Sequence, residues 1–304
     1  MQLSVPTLKD YLTLLLLSAI WGASFLFLRI ASPAFGPFFL IEMRVVSALL
    51  VMLPLCFVLG KQHEILTHWR PILMLSLCNM SLPFCLFAYA TLSIGAGFAS
   101  IINATVPFFT ALLAFLVWQR RLSLVAIVGM CIGFTGVVLL MLEYSGPISI
   151  DGPRFAIAAA LLACVFYGLA INFMAQYLPG VSGVAVTTGS LLFSSITLLP
   201  FALWRWPQVM PSGSIWLSVL ALGILCTGFA FVLFYRLVGR IGPNLAVTNT
   251  FLIPLFSIFW GKLFLAEELT PFMLVACTLV LTGVGLTTGS LSRLRLFCRM
   301  KLAR

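Results

Sequence analysis

The chain is written twice. With Trp69 set against Trp216, its two halves run in step at a constant offset of 147. Phe84 meets Phe231, Phe87 meets Phe234, Ile94-Gly95 meets Ile241-Gly242, Pro107 meets Pro254, and Thr135-Gly136-Val137 meets Thr282-Gly283-Val284. From Trp69 to Leu139, 18 of 71 positions are identical. Leucine coincidences come easily in an apolar chain, but Trp, Pro and Gly coinciding in order do not. Further upstream, Ile20-Trp21-Gly22 aligns with Phe166-Tyr167-Gly168.

Each copy holds five apolar stretches. The ten fall at about 11–30, 38–59, 71–91, 95–118, 123–142, 154–174, 182–203, 214–236, 244–265 and 271–289. Each is near the ~20 residues that carry a helix across the hydrocarbon of a bilayer. Charged residues make up only 8% of the chain, against roughly a quarter in a soluble domain, so a water-facing surface is out of reach. The stretches are apolar all round, whereas barrel strands alternate with a polar lumen face. The expected fold class is therefore an all-α polytopic membrane protein of ten helices. An odd number of spans per copy turns the second copy upside-down, and such inverted repeats are an architecture of secondary transporters. The expected units are a first repeat at 1–148, a second at 149–290 and a basic tail at 291–304.

Lys9 ahead of an apolar run resembles a secretory signal. The alignment of this run with the head of the second copy makes it structural instead, and no A-x-A cleavage pattern follows. Lys and Arg set the orientation. Twelve fall on the side of the termini, including Lys61, Arg70, Arg120, Arg121, Arg236, Arg240 and the tail, against Arg29, Arg154, Arg205 and Lys262 on the other. Both termini are expected in the cytoplasm of a bacterial cell, with the spans in its inner membrane. This bias also accounts for the net charge of +10, which in a soluble protein would suggest nucleic acid. The tail suits anionic lipid headgroups.

Enzymatic chemistry lacks its constellations. Within the spans Glu42 and Arg44 are the strongly ionisable residues, with Arg29 near a boundary, and no H-E-x-x-H, G-x-S-x-G or P-loop pattern occurs. The eight cysteines form no C-x-x-C pair, and His63 and His68 have no metal-ligand companions. Neither a metal nor a cofactor is expected.

Charges inside a bilayer cost ~2.5–3.5 kcal/mol each on insertion scales and mark function. Glu42 and Arg44, two residues apart, point in different directions on a helix. Arg44 either snorkels to the interface or faces a cavity and holds a substrate carboxylate. Glu42 is the buried carboxylate available for proton coupling. For Arg29, interface anchoring is the simpler reading. Ser100, Asn103, Pro107, Thr110 and Ala114 share one helical face, repeated as Val247, Thr250, Pro254, Ser257 and Gly261. That face suits close packing or a substrate wall, with Pro107 and Pro254 freeing carbonyls as helix interruptions. Asn79, Asn103, Asn172 and Asn249 are amides that need partners in hydrocarbon. Trp21 and Tyr167, each followed by Gly, line a cavity or pack a core. The cavity candidates are thus Trp21, Arg44, Asn79, Asn103, Tyr167 and Thr250.

Trp21-Gly22-Ala23-Ser24-Phe25, Arg44, Pro107, Glu267-Glu268-Leu269-Thr270 and Thr282-Gly283-Val284-Gly285 together resemble the EamA-type branch of the drug/metabolite transporter superfamily. The resemblance spans essentially the whole chain. It implies a ten-helix inner-membrane carrier whose cavity is lined by the first, third, fourth, sixth, eighth and ninth helices. Members export amino acids and other small metabolites, and some import them. Two features depart from the pattern. Gln119-Arg120-Arg121 stands where family copies often carry a Glu, and Glu42 is not part of it. The expectation is a secondary transporter exporting amino acids or similar small metabolites by alternating access. Rival readings are an importer and a non-transporting membrane regulator or sensor. A homodimer is compatible with the sequence and not required by it.

Overall fold

The computed structural model describes residues 6–143, 152–242 and 246–289. Among them the chain is helical throughout, with no strand. The long helices are α1 (Leu8–Val58), α2 (Trp69–Ala90), α3 (Ala96–Leu116), α4 (Leu124–Glu143), α5 (Pro153–Tyr177), α6 (Gly183–Trp204), α7 (Gly213–Ile241), α8 (Ile253–Leu265) and α9 (Pro271–Thr287). A short helix, Gln62–Thr67, precedes α2. Seven of them, α1 to α7, are long and apolar enough to cross a membrane, and α8 and α9 are shorter. The expected junction at 148–149 and the basic tail at 291–304 lie outside the described residues.

The first two expected spans form one 51-residue element, α1. It breaks at Gly36, where φ is 69° and ψ is 161°. Only glycine adopts such a backbone without strain, and the following Pro37 favours an extended residue before it. Contacts with α7 show that the chain doubles back there. Trp216 meets Phe35 and Phe39 at the bend, Gly228 meets Val51 in the second limb, and Arg240 pairs with Asp10 in the first limb. The first limb therefore runs antiparallel to α7 and the second parallel to it.

The two proline spans are also interrupted. In α3 the helix Ala96–Asn103 ends and Val106–Leu116 begins, with Pro107 in the first turn of the second piece. In the second copy a 3₁₀ stretch, Val247–Phe251, precedes α8, with Pro254 in its first turn. Each proline starts a new segment, where its missing N–H costs nothing. Two further irregularities occupy matching places in the repeat: π-helical turns at Leu77–Ser81 in α2 and Ala221–Phe229 in α7.

Glycine contacts cross between the halves. A Cβ on Gly22 would lie 2.8 Å from Phe256 Cβ and 2.9 Å from Ser257 N. A Cβ on Gly168 would lie 2.8 Å from the carbonyl carbon of Phe109 and from Thr110 N. Phe109 and Thr110 are the repeat equivalents of Phe256 and Ser257, so α1 packs on α8 as α5 packs on α3. Asn172 reinforces the latter contact by donating to Thr110 O at 2.9 Å. Between α4 and α9, Gly129 abuts Gly283 while Gly136 abuts Ala276, again a pair exchanged by the repeat. One buried apolar cluster, including Leu17, Phe39, Phe108, Leu222 and Val280, runs through both halves. Outward faces stay apolar at Leu50, Leu116, Leu162 and Phe259, as suits helices solvated by hydrocarbon.

A Gly168→Ala substitution is expected to destabilise the protein by about 1–3 kcal/mol, the usual cost of overpacking. Gly213→Ala, with nothing within 4 Å of its Cβ position, is expected to be neutral. Thermal melting of the two variants in detergent micelles checks this.

Candidate functional site

A cavity of about 370 Å³ sits between the two halves. All six cavity candidates read from the sequence line it: Trp21, Arg44, Asn79, Asn103, Tyr167 and Thr250. Pro107 lines it as well, whereas Pro254 is buried and lies outside its lining. This wall is supplied by both limbs of α1, by α2, α3, α5 and α7, by the 3₁₀ stretch before α8 with the first residue of α8, and by Thr288 just past α9.

Aromatic rings form its apolar surfaces, and they do so in repeat-related pairs. Trp21 packs on Phe234 at 5.4 Å between centroids and edge-on to Phe231 at 5.9 Å. Tyr167 stacks on Phe87, the equivalent of Phe234, at 6.2 Å.

Arg44 is the one Lys, Arg, Asp or Glu among the residues lining the cavity. It does not snorkel. Its Nε donates to Thr227 Oγ1 at 3.0 Å, and its guanidinium carbon lies 3.7 Å from the Phe84 ring centroid, a cation–π contact. Thr227 belongs to the π-helical turn of α7 and donates in turn to Leu222 O at 2.9 Å. The wide turn thus presents a hydroxyl to the arginine, consistent with the frequent use of π turns at functional sites. Neighbouring Cys226, the repeat equivalent of Asn79, also lines the cavity. Sequence reasoning passed over Thr227. Its place one residue after the equivalent of Asn79 was the available signal.

Glu42 is elsewhere. It is 2% exposed and does not line the cavity. Its Oε1 accepts from Ser195 Oγ of α6 at 3.0 Å, and its Oε2 has no partner among the described residues. Nearby, Ser81, Ser194 and Thr197 join their hydroxyls between α2 and α6. Of the other amides, Asn172 is a tie between helices, and Asn249 is buried with neither side-chain polar atom partnered among the described residues.

Polar contacts close the two ends of the bundle differently. At the end far from the N-terminus, Arg29 is tied to the turn after α2. Its Nη1 donates to Thr91 O at 2.6 Å and Leu92 O at 2.8 Å, the carbonyls left open where α2 stops. Across the same turn, Glu267 accepts from the N–H groups of Ala96 at 2.7 Å and Gly97 at 3.2 Å. A carboxylate there complements the helix dipole of α3. At the near end, Asp10 pairs with Arg240 at 3.0 Å. Glu64 accepts from Lys61 Nζ at 2.7 Å and from the Ser182 N–H at 2.6 Å, ahead of α6.

Comparison with known proteins assigns the family. The model of the EamA-like transporter family matches residues 8–142 and again 154–289. The chain belongs to the EamA-like transporter family. It is accordingly a multi-pass membrane protein of a transporter family. A protein of Archaeoglobus fulgidus named "Uncharacterized transporter" is 24% identical over 284 residues, covering 91% of this chain and 98% of its own. The "Uncharacterized transporter YoaV" of Bacillus subtilis is 22% identical, covering 94% and 98%. A "Probable terminal-alkyne amino-acid exporter" of Streptantibioticus cattleyicolor is 23% identical, covering 91% and 93%. A solved crystal structure shares the fold at a TM-score of 0.67 and 18% identity, covering 92% of this chain and 96% of that one.

The Lys61 ammonium, and then the Ser182 N–H, hold the Glu64 carboxyl below the ordinary glutamate range. A lowered folded-state value means that this contribution is present above the unfolded value of about 4.3. It is lost as pH falls through the folded value. The melting-temperature gap between the wild type and Glu64→Gln is therefore expected at neutral pH and to close on acidification below about pH 4. Melting curves in detergent over a pH series check it.

Proposed function

We propose that this member of the family is a secondary carrier that exports amino acids or similar small metabolites by alternating access. It would work in the bacterial inner membrane with both termini cytoplasmic. On this reading α1 crosses twice, α8 and α9 once each, and the ten crossings form two inverted five-helix halves, 1–148 and 149–290. The crossed glycine contacts and the antiparallel limbs of α1 support that arrangement.

One observation carries the functional reading. A cavity bounded by both halves holds a single guanidinium, Arg44, with no carboxylate among its lining residues. Such a cation in a low-dielectric site calls for a counter-anion from outside, and a substrate carboxylate supplies one. The rings of Trp21, Phe84, Phe87 and Tyr167 accept an apolar body, and the Asn79 and Asn103 amides accept or donate to its polar groups. The name of the Streptantibioticus relative, with its amino-acid substrate, agrees with this class. Asn79, Asn103 and Thr250 are proposed as substrate contacts, with the breaks at Pro107 and Pro254 letting the half-helices reorient. Glu42, buried with one oxygen unpartnered among the described residues, is proposed as the proton-coupling carboxylate.

Metabolite profiles of medium and cytosol from bacteria making the wild type or Arg44→Ala test the carrier reading. Expected is a carboxylate-bearing compound that accumulates outside with the wild type alone. Depletion from the medium would make the chain an importer. No difference at equal membrane levels would favour the regulator. Once that compound is known, Glu42→Gln is expected to abolish its uphill movement in proteoliposomes and to spare downhill movement. An unchanged uphill rate would exclude Glu42 from coupling.

A further inference from the structure

The two ends of the cavity are not equivalent, and the repeat shows why. Aligning Trp21 with Tyr167 puts Phe25 opposite Ile171, Leu28 opposite Met174 and Arg29 opposite Ala175. In the first copy these positions are shut. Phe25 is 6% and Leu28 2% exposed. Phe25 packs edge-on to Phe87 at 5.7 Å. One turn further on, Arg29 reaches the carbonyls of Thr91 and Leu92, and Ser32 Oγ lies 3.2 Å from Thr91 Oγ1. The first limb of α1 is thereby zipped to the end of α2.

In the second copy the same positions are open. Ile171 and Met174 are each 42% exposed. Together with Ala175 they line a second cavity of about 390 Å³. That cavity reaches the exposed Pro179 in the turn after α5. It shares Asn79, Ile171 and Phe231 with the central cavity, so the two voids adjoin. Alanine has neither the length nor the donors to close this end as arginine closes the other.

We propose that Arg29 is the seal of the far end, and that Ala175 leaves the near end without a matching seal, so that its vestibule stands open to the central cavity in this structure. The inference rests on the carrier reading, and it names the bonds that must break for the far side to open. Those are the two from Arg29 to the carbonyls just past α2 and the Ser32–Thr91 contact. The Glu267 carboxylate, gripping the other side of the same turn through Ala96 and Gly97, holds those carbonyls where Arg29 meets them. A half-buried cation bonded to two carbonyls in one arrangement only gives the differential stability that a two-state device requires. Removing it shifts the population toward the far-open state.

The test is the labelling of Leu28→Cys by a membrane-impermeant maleimide, read in intact cells and in inside-out vesicles. Background from the native cysteines is subtracted using the chain without that substitution. With Arg29 present, Leu28→Cys is expected to react much faster from one membrane face than from the other. In Arg29→Gln the rate at the protected face is expected to rise several-fold, narrowing the difference between the faces. Arg29→Lys, which keeps a cation and donors, is expected to restore the difference between the faces, a rescue that a merely structural role would not produce. Should Arg29→Gln fail to fold, Ser32→Ala is the milder variant, expected to speed labelling at the protected face. Identical face patterns with and without the Arg29 bonds would overturn the seal. So would equal labelling rates from the two faces while Arg29 is in place. These outcomes are read without any transported compound, so they stand apart from the metabolite experiment, which alone bears on the carrier reading.

Discussion

Inside hydrocarbon, apolar side chains gain nothing by turning from lipid to one another, so helices hold together where their backbones approach closely. Here that approach depends on Gly22 and Gly168. Each lets its helix sit directly on the peptide backbone of the proline-broken segment in the opposite half. The position of everything else follows. With α1 seated on α8 and α5 on α3, Trp21 comes over Phe231 and Phe234 and Tyr167 over Phe87. The cavity is the space left between those two ring clusters. A side chain at either glycine would push the halves apart and change the shape of the void between them.

The polar residues divide into ties and working groups, and burial alone does not separate them. Asn172 and Arg44 are both buried. Asn172 spends its amide on the Thr110 and Gly168 carbonyls. Arg44 spends one nitrogen on Thr227 while lining the cavity. The turn at 91–97 shows how ties use helix ends: a cation takes the carbonyls just past α2 and an anion takes the first N–H groups of α3. The corner that supplies the anion recurs in the first copy with the same backbone. Gln119 and Ala266 share a left-handed φ of 53° and 52°. The amides of Arg120 and Glu267 reach back to the equivalent carbonyls of Ala114 and Gly261. Only the charge differs, so the unusual Arg120-Arg121 leaves the fold of the corner intact while removing the carboxylate that grips a neighbouring turn.

Much of the site was legible because a repeat doubles the signal. Trp21, Tyr167 and the paired proline helices stood out through their partners in the other copy, and a lone arginine in an apolar span is conspicuous by its cost. What escaped were features with no intrinsic chemistry. Thr227 is an ordinary hydroxyl until a π turn aims it at Arg44. The bonds of Arg29 exist only once the end of α2 is brought beside it. Glu42 and Arg44 point in different directions by their spacing alone, but only the structure sends one to Ser195 of α6 and the other into the cavity.

The sequence by itself determined the apolar helices, their duplication at an offset of 147 and the residue types available for a cavity. These are properties of local periodicity and of copying, which survive without knowing any contact. Only the tertiary structure decided that Gly36 folds α1 back on itself and that Arg29 meets the carbonyls of Thr91 and Leu92. It likewise decided that Ala175, the repeat counterpart of Arg29, faces an open vestibule. Each depends on which residues from distant parts of the chain are brought within a few ångströms, and a one-dimensional pattern of hydropathy carries no record of that.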